Sequence, residues 1–243
     1  MATEPVDPER PAAPAPAVVL LSGGLDSTVL LHHVAKDLGA APLYALSFNY
    51  GQKHGRELEM AAWQARALQP AVREHHILDL GFFRDLMAGA TTLVAGGDEV
   101  PELAALDAAQ RRQPPTYVPN RNLTLLALAA AYAEARGCHR VFYGAQAQDE
   151  YGYWDCTAEF VERTNAVLAL NRHRPVRIEA PFCRLTKAAE IAIGRRLGVD
   201  FAHTWSCYRG GDRPCGACPT CVERAQAFQQ AGLADPLAAG DRL

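Results

Sequence analysis

Seven residues near the start of the chain, Ser22-Gly23-Gly24-Leu25-Asp26-Ser27-Thr28, constrain its fold and chemistry more than any other segment. They follow a short apolar run that predicts a buried strand over residues 18–21. After them, apolar residues recur at helical spacing: Leu30, Leu31, Val34, Ala35 and Leu38. Glycines let a backbone approach a phosphate closely, and the first amides of a helix attract anions. The segment therefore predicts a strand, an anion-binding turn and a helix.

The turn is neither a G-x-x-x-x-G-K-[ST] motif nor a G-x-G-x-x-G motif. Its pattern, S-G-G-x-D-S, is similar to the pyrophosphate loop of the ATP-pyrophosphatase families, which cleave ATP between the α and β phosphates. The resemblance implies that Leu21 and residues 22–28 bind ATP. Asp26 could hold Mg²⁺, because hard cations prefer carboxylate oxygens, or it could cap the helix.

Strand and helix patterns alternate along the rest of the chain. Further strands are predicted at residues 43–48, 74–78, 140–143 and 177–180, and further helices at 52–68, 118–136, 157–170 and 187–197. This alternation predicts an α/β fold, a doubly wound and mostly parallel sheet with both faces covered. Ligands of such sheets bind beyond the carboxyl ends of the strands, so Ser22, Asn49, Tyr50 and Gly144 should converge.

Residues 79–117 form an unusually long connection between predicted elements. A connection of this length favours either a functional lid or a disordered insert, and residues 103–112 within it could be helical. The amino-acid sequence leaves the choice between lid and insert open.

Composition is that of a globular protein with one large domain, or one domain with an appendage. The 243 residues are 49% hydrophobic and carry a net charge of −3, which argues against a broad nucleic-acid surface. No run approaches the ~20 apolar residues of a membrane span. Residues 1–16 lack the pattern of a secretory signal, so we expect a disordered tail there and a cytoplasmic location.

Four of the seven cysteines lie close together near the C-terminus, at Cys207, Cys215, Cys218 and Cys221. An odd number of cysteines in a cytosolic chain argues against a disulfide framework. Four thiolates with two-residue gaps match a closed, tetrahedral and therefore structural Zn²⁺ site. Similar gaps occur in iron–sulfur proteins, so an iron–sulfur cluster stays open as a second interpretation.

Further motifs in the same order carry a more specific resemblance. The chain resembles the 7-cyano-7-deazaguanine synthases, a family that makes the nitrile precursor of queuosine and archaeosine. The resemblance covers about residues 17–225. Besides the early turn and the cysteine tail, it is carried by Phe48-Asn49-Tyr50-Gly51-Gln52-Lys53-His54, Val118-Pro119-Asn120-Arg121-Asn122, Gly152-Tyr153-Trp154-Asp155-Cys156 with Glu159-Phe160, and Lys187-Ala188-Ala189-Glu190.

The resemblance implies a reaction and a domain plan. ATP would adenylate 7-carboxy-7-deazaguanine, ammonia would displace AMP to give an amide, and a second adenylation would lead to the nitrile. Residues 17–203 would form the ATP-binding catalytic domain, and residues 204–243 a zinc-binding segment packed on it. Members of the family are often homodimers, and neither nucleic acid nor a membrane is expected as a direct partner.

The resemblance also suggests roles for individual residues. Asp26, Lys187 and Arg121 would be catalytic, although Arg121 and Lys187 could instead be ordinary surface residues. Lys187 opens a helix, which is an unfavourable place for a cation unless an anion lies nearby. The substrate would contact a set of polar and aromatic side chains: Tyr50, Gln52, His54, Asn120, Arg121, Asn122, Asp149, Tyr153 and Asp155. His54 could be a general base or a helix-surface residue, and the aromatic segment could simply be packed.

One segment departs from the family pattern. Where the family commonly reads Asp-x-Ser-Gly-Tyr-Pro-Asp-Cys-Arg, this chain has Tyr151, Trp154 and Thr157 in place of serine, proline and arginine. This difference leaves room for a paralogue that acts on a related deazapurine or acceptor. The turn motif by itself would also suit a tRNA-modifying ATP-pyrophosphatase, an amide-forming synthetase for a small acid, or a nucleotide sensor without catalysis.

Overall fold

Five parallel strands form the centre of the computed structural model, which describes residues 14–147 and 152–238. They are β1 (Ala17–Leu20), β2 (Leu43–Asn49), β3 (Val72–Asp79), β4 (Arg140–Phe142) and β5 (Arg177–Glu179). Their order in the sheet is β3-β2-β1-β4-β5, and every neighbouring pair is parallel. The central strand β1 is apolar throughout because helices cover both faces of the sheet.

Eight helices are present among the described residues: α1 (Leu25–Lys36), α2 (Arg56–Ala67), α3 (Gly81–Leu86), α4 (Ala108–Arg112), α5 (Arg121–Ala135), α6 (Ala158–Leu168), α7 (Lys187–Arg196) and α8 (Pro219–Gln230). Residues of α1, α2, α7 and α8 share one hydrophobic cluster with Val19 and Phe142 of the sheet. Residues of α5 and α6 share the other cluster with Val18 and Val141. This two-sided covering confirms the predicted doubly wound α/β fold.

The strand order reverses beside β1, between β1 and β4. Such a switch point leaves a crevice at the carboxyl ends of the two strands. The turn at residues 21–24 leaves β1 there, and Gly144 follows β4 at the same edge. A Cβ atom on Gly144 would lie 3.2 Å from the backbone nitrogen of Ser27, so a side chain there would have to push the two segments slightly apart. The predicted convergence is confirmed.

Two predicted helices begin later than expected. The helix predicted from residue 52 begins at Arg56, because Gln52 pairs with Val94 in an isolated β-bridge. The side chain of Gln52 also binds the backbone of Phe48 and Tyr50. The helix predicted from residue 118 begins at Arg121, because Asn120 has a left-handed φ of 52° that no α-helix can include.

The connection at residues 79–117 is folded, so the interpretation as a disordered insert was wrong. Leu93, Val94 and Val100 are buried in the core. Its predicted helix at 103–112 is a 3₁₀ turn (Leu103–Ala105) followed by α4, whose capping box begins at Asp107. Helices α3 and α8 were not predicted. Whether the connection acts as a lid stays a prediction.

No helix of the described residues has the length and apolar character needed to span a membrane.

Candidate active site

The turn between β1 and α1 can be built only with glycine at its second position. Gly23 has a φ of +88°, and a Cβ there would lie 1.9 Å from the carbonyl oxygen of Glu57. The backbone of Gly23 also accepts a hydrogen bond from Trp205 N at 2.9 Å. The turn is therefore clamped between the start of α2 and the C-terminal segment.

Hydroxyl groups fix the shape of the turn from inside. Ser22 Oγ lies 2.9 Å from Ser27 Oγ and accepts a hydrogen bond from Gly24 N at 3.1 Å. Ser27 Oγ in turn accepts from Ser22 N at 3.1 Å and donates to Gly24 O. Ser47 on β2 donates to the carbonyl of Leu21. A turn held in this way presents its backbone to a ligand without first having to order itself.

A cleft of about 260 Å³ opens at the carboxyl edge of the sheet, in front of the turn. Most of the predicted site residues line it, and they come from five separate places in the chain. The structure brings together Leu21, Ser22, Gly24, Leu25, Asp26, Ser27, Tyr50, Gln52, His54, Arg121, Asn122, Tyr153 and Lys187.

Three charged side chains meet beside the turn. Lys187 Nζ lies 3.5 Å from Asp26 Oδ2 and 3.7 Å from Glu223 Oε2. Lys187 is buried at the first residue of α7, where the helix dipole disfavours a cation, and the two carboxylates compensate for this cost. Burial raises the pKa of the Glu223 carboxyl; Lys187 opposes this shift and Asp26 adds to it. The arrangement holds a cation beside the turn, in the wall of the cleft.

The Arg121 guanidinium, together with Tyr50 and Tyr208, forms another part of the cleft lining. Arg121, the first residue of α5, donates from Nη1 to Tyr50 Oη at 3.1 Å. Burial alone would lower the pKa of the Arg121 guanidinium. Tyr50, Tyr208 and Asp155 together raise this pKa by more than burial lowers it, so the guanidinium stays charged. A half-buried cation beside aromatic rings suits a flat, anionic ligand.

Asp155 lies behind Arg121 rather than in the lining. Its side chain is 2% exposed, and its Oδ1 has no hydrogen-bond partner within the described part of the chain. Burial raises the pKa of this carboxyl, whereas the charge of Arg121 lowers it. Nearby, Asn122 Nδ2 donates to Cys156 Sγ at 3.5 Å, and Tyr153 Oη lies 2.7 Å from Thr116 Oγ1.

Four more of the predicted site residues lie away from the lining or outside the described part of the chain. Gly23 and Thr28 are buried behind the turn. Asn120 is exposed, and its backbone nitrogen donates to Tyr117 Oη at 3.2 Å. Asp149 falls outside the described residues. The predicted roles of these four residues stay predictions.

Several lining residues were not predicted, among them Glu57, Glu223 and Tyr208. Glu57 follows His54 by one helical turn, and this spacing could have identified it. Glu223 and Tyr208 belong to the cysteine tail, for which the cysteine spacing predicts only a structural role. Nothing in the local pattern shows that this tail reaches the cleft.

The four clustered cysteines form a compact set of sulfur atoms. The Sγ atoms of Cys207, Cys215, Cys218 and Cys221 all lie within 4.8 Å of one another. Two of them accept backbone hydrogen bonds, from Cys215 N to Cys207 Sγ at 3.4 Å and from Cys218 N to Cys215 Sγ at 3.3 Å. Such donors stabilise thiolates, so the set could hold a metal ion.

The cysteine segment is packed against the cleft. Trp205 and Tyr208, which flank Cys207, line it, and so do Thr220 and Glu223 of α8. The segment also touches the long connection, since Arg209 donates to the carbonyl of Val100 at 3.0 Å. A metal ion held by the four cysteines would therefore brace one wall of the cleft.

Comparison with known proteins agrees with this geometry. Residues 16–232 match the family model of the queuosine biosynthesis protein QueC. The chain belongs to this family. It is 44% identical to the 7-cyano-7-deazaguanine synthase of Caldicellulosiruptor saccharolyticus, over 91% of this chain and 94% of the relative. It is 45% identical to that of Archaeoglobus fulgidus, over 91% of this chain and 89% of the relative.

A solved structure, NMN synthetase from Francisella tularensis, overlaps 92% of this chain and 89% of that chain with 14% identity and a TM-score of 0.49. An overlap of this size supports no argument about function. Membership of the QueC family confirms the resemblance drawn from the motifs and makes the chain an enzyme of queuosine biosynthesis.

Two of the three departures from the QueC family pattern lie outside the cleft. Trp154 is 48% exposed, packs edge-on against Phe160 and donates to Tyr117 Oη at 2.8 Å. Thr157 caps α6 by accepting a hydrogen bond from Phe160 N. Tyr151 falls outside the described residues. Trp154 and Thr157 border a separate groove between α5 and α6, so they do not change the cleft lining.

Proposed function

We propose that the enzyme converts 7-carboxy-7-deazaguanine and ammonia into 7-cyano-7-deazaguanine, with cleavage of ATP to AMP and pyrophosphate in each of two adenylation steps. The observation that carries this proposal is that one cleft contains both the glycine turn and the Arg121 pocket. A bound nucleotide and a flat acid would therefore meet within it. The relatives named above are synthases of this nitrile.

The turn and Lys187 would act on the departing pyrophosphate. Negative charge grows on that group as the bond to the α-phosphorus breaks, and groups already aimed at it favour the transition state. The buried ammonium of Lys187 lies beside the turn with a carboxylate on either side. Arrival of the phosphates would give this cation a stronger partner than either carboxylate.

Asp26 would hold Mg²⁺ on the nucleotide. Its Oδ1 is buried and has no hydrogen-bond partner among the described residues, and a carboxylate oxygen suits this ion. Mg²⁺ would neutralise phosphate charge during adenylation.

Arg121 would bind the carboxylate of the acid, because a guanidinium matches a carboxylate in geometry and charge. Tyr50 and Tyr153 would flank the ring. Asp155, held 2% exposed behind Arg121, would keep the guanidinium in place and charged.

The four cysteines would bind a structural Zn²⁺. Tetrahedral Zn–S bonds of ~2.3 Å place sulfur atoms about 3.8 Å apart. Cys215 Sγ and Cys221 Sγ already lie 3.9 Å apart. An iron–sulfur cluster spreads its cysteines over several iron atoms, so the compact spacing favours a single ion.

The reaction can be tested with purified protein, ATP, Mg²⁺, 7-carboxy-7-deazaguanine and ammonium chloride. We expect the nitrile by mass spectrometry, an amide that rises and then falls, and AMP and pyrophosphate in a ratio of two to each nitrile. Formation of ADP in place of AMP would overturn the proposal. Turnover only with glutamine and a second protein would overturn ammonia as the nitrogen source.

A further inference from the structure

His54 and Glu57 form a carboxylate–imidazole pair in the wall of the cleft. His54 Nε2 lies 3.3 Å from Glu57 Oε2, and the two side chains are 3% and 13% exposed. Both residues line the cleft. His54 lies just before α2 and Glu57 lies in its first turn. Because residues three apart share a helix face, the two side chains lie on the same side of the start of α2.

One imidazole nitrogen of the pair has no partner among the described residues. The Glu57 carboxylate faces Nε2, and a ring that keeps its hydrogen on that nitrogen carries its lone pair on Nδ1. Nδ1 is buried and has no hydrogen-bond partner anywhere in residues 14–147 or 152–238. Buried polar atoms in native proteins are normally satisfied, so such an atom in a cleft indicates that a ligand or reactant satisfies it.

The surroundings hold the ring close to the turn. A Cβ on Gly24 would lie 3.8 Å from Glu57 Oε1, so the carboxylate borders the turn. On its other side, His54 packs against Tyr208, with ring centroids 5.5 Å apart. The neighbouring Gly210 packs on the backbone of Lys53, where a Cβ would lie 2.8 Å from the carbonyl oxygen.

The other charged groups of the lining already carry a proton or face a cation. Arg121 and Lys187 are cations, and the carboxylates of Asp26 and Glu223 both face the Lys187 ammonium. His54 is the one imidazole among the described lining residues. A neutral imidazole oriented by a carboxylate is the usual proton acceptor of enzymes near neutral pH.

We propose that His54 accepts the protons that nitrogen loses in the cleft, and that Glu57 is a positioning residue for it; this inference rests on the proposed function. In amide formation, the nitrogen of ammonia bonds to the acyl carbon. The carbon–oxygen bond to AMP breaks with its electron pair, AMP leaves, and the extra proton on nitrogen passes to Nδ1.

Nitrile formation makes a second demand on the same base. The amide oxygen displaces pyrophosphate from a second ATP, which leaves an adenylated imidate with two hydrogens on nitrogen. Nδ1 takes one proton, releases it to water, and takes the other as the remaining carbon–oxygen bond breaks. AMP leaves with that electron pair and the carbon–nitrogen triple bond forms.

Two readouts separate this role from nucleotide binding. Exchange of labelled pyrophosphate into ATP, driven by the acid, reports adenylation and needs no nitrogen source. Nitrile formation needs every step. In His54→Asn the ratio of nitrile formation to exchange should fall about 10²-fold or more. Glu57→Gln should lower the same ratio at least ten-fold, because the imidazole loses the partner that fixes its tautomer.

A second nucleophile tests the proton transfer itself. Hydroxylamine is largely unprotonated at neutral pH and attacks with less need for a base. His54→Asn should therefore form the hydroxamate at a rate much closer to that of the unmodified protein than its rate with ammonia. The matched control is His33→Asn, which removes a histidine paired with Asp37 at 2.8 Å on the exposed end of α1 and should leave the ratio unchanged.

The outcomes are distinct. Unmodified protein that shows no acid-dependent exchange overturns the proposed function. If that protein is active, equal losses of exchange and nitrile formation in both variants overturn the role of His54, and so does an equal loss with both nucleophiles. If His54→Asn does not fold, the ratio in Glu57→Gln decides: an unchanged ratio refutes the inference.

Discussion

At Gly23 the backbone conformation and the lack of space act together. Its φ of +88° disfavours every other residue type, and a Cβ would lie 1.9 Å from Glu57 O. We expect Gly23→Ala to displace the turn and to lower ATP affinity at least ten-fold, measured by calorimetry. Gly39→Ala is the matched control, since Gly39 has a φ of +60° but nothing within 4 Å of its Cβ position. It should cost only the ~1–2 kcal/mol of a left-handed residue and leave ATP affinity unchanged.

Asp26 can be tested without disturbing the fold. Asp26 is half-buried, and Glu223 still faces the Lys187 ammonium when the Asp26 carboxylate is removed, so Asp26→Ala should fold with only a small loss of stability. It should lose acid-dependent pyrophosphate exchange by about 10²-fold or more. Asp85→Ala, which removes a carboxylate with a 75% exposed side chain, should keep full exchange. Full turnover by Asp26→Ala would show that the assignment of the turn is mistaken.

Asp155 gives a prediction about pH. Its pKa is higher in the folded protein than in the unfolded chain, mainly because of burial, so ionisation costs stability as pH rises above the unfolded value of about 3.9. Asp155→Asn removes that cost. The melting temperature of Asp155→Asn should rise relative to that of the unmodified protein as the pH increases above about 3.9, until the folded pKa is passed. A relative melting temperature that falls with rising pH would contradict the burial of an ionisable carboxyl here.

Residue roles that depend on local pattern could be predicted from the sequence, whereas those that depend on tertiary contact could not. Ser22, Gly24 and Asp26 lie in one contiguous motif, and the motif locates them in the cleft. The proximity of Glu223 to Lys187 depends on how α8 packs against α7, which no local pattern encodes.

At the scale of elements, α8 is held by a buried ion pair. Arg224 Nε lies 2.8 Å from Asp235 Oδ2, with side chains 5% and 10% exposed. The guanidinium also donates to Thr204 Oγ1 and to the carbonyl of Phe201. Breaking one partner of such a pair leaves a buried charge uncompensated.

We therefore expect Asp235→Ala to destabilise the protein by ~3–5 kcal/mol in urea unfolding. The matched control is Asp37→Ala, which removes a carboxylate that binds Arg196 at 2.6 Å on the surface. It should change the unfolding midpoint little, because exposed pairs are screened by water and salt. Equal effects of the two variants would refute a structural role for the buried pair.

The positions of all five strands could be predicted, because each strand of a buried parallel sheet is a short apolar run between turn residues, and such runs are easy to recognise. Helix starts were less predictable. Gln52 and Asn120 lie in segments with helical spacing, but a β-bridge at one and a left-handed φ at the other delay the helix. Both causes are backbone features that side-chain periodicity does not report.

At the scale of the whole molecule, the cysteine segment could affect both the stability of the protein and the shape of the cleft, because it carries the four clustered sulfur atoms and lines one wall. Cys218→Ser should lose bound metal, measured by elemental analysis, and should lower the melting temperature, because metal binding and folding are coupled. Cys183→Ser, which changes a half-buried cysteine outside the cluster, should keep the metal. A metal-free Cys218→Ser with an unchanged melting curve would contradict a structural ion.

The fold class could be predicted from the alternation of strand and helix patterns. The convergence of the segments that follow the strands could also be predicted, because ligands of parallel sheets bind beyond the carboxyl ends of the strands. The contribution of the C-terminal segment to the cleft could not be predicted. This segment contacts residues 53–57, which lie more than 150 positions earlier in the chain. The domain boundaries and the homodimer stay predictions, and sedimentation of the purified protein would test the latter.

The parallel sheet has a practical consequence. Every strand begins at one edge of the sheet, and the residues that line the cleft gather at the opposite edge. Residue 14 enters β1 from the starting edge, so a surface linker attached at that residue would be anchored at the side away from the cleft. Immobilised in that orientation, the protein should keep its cleft facing the reagents.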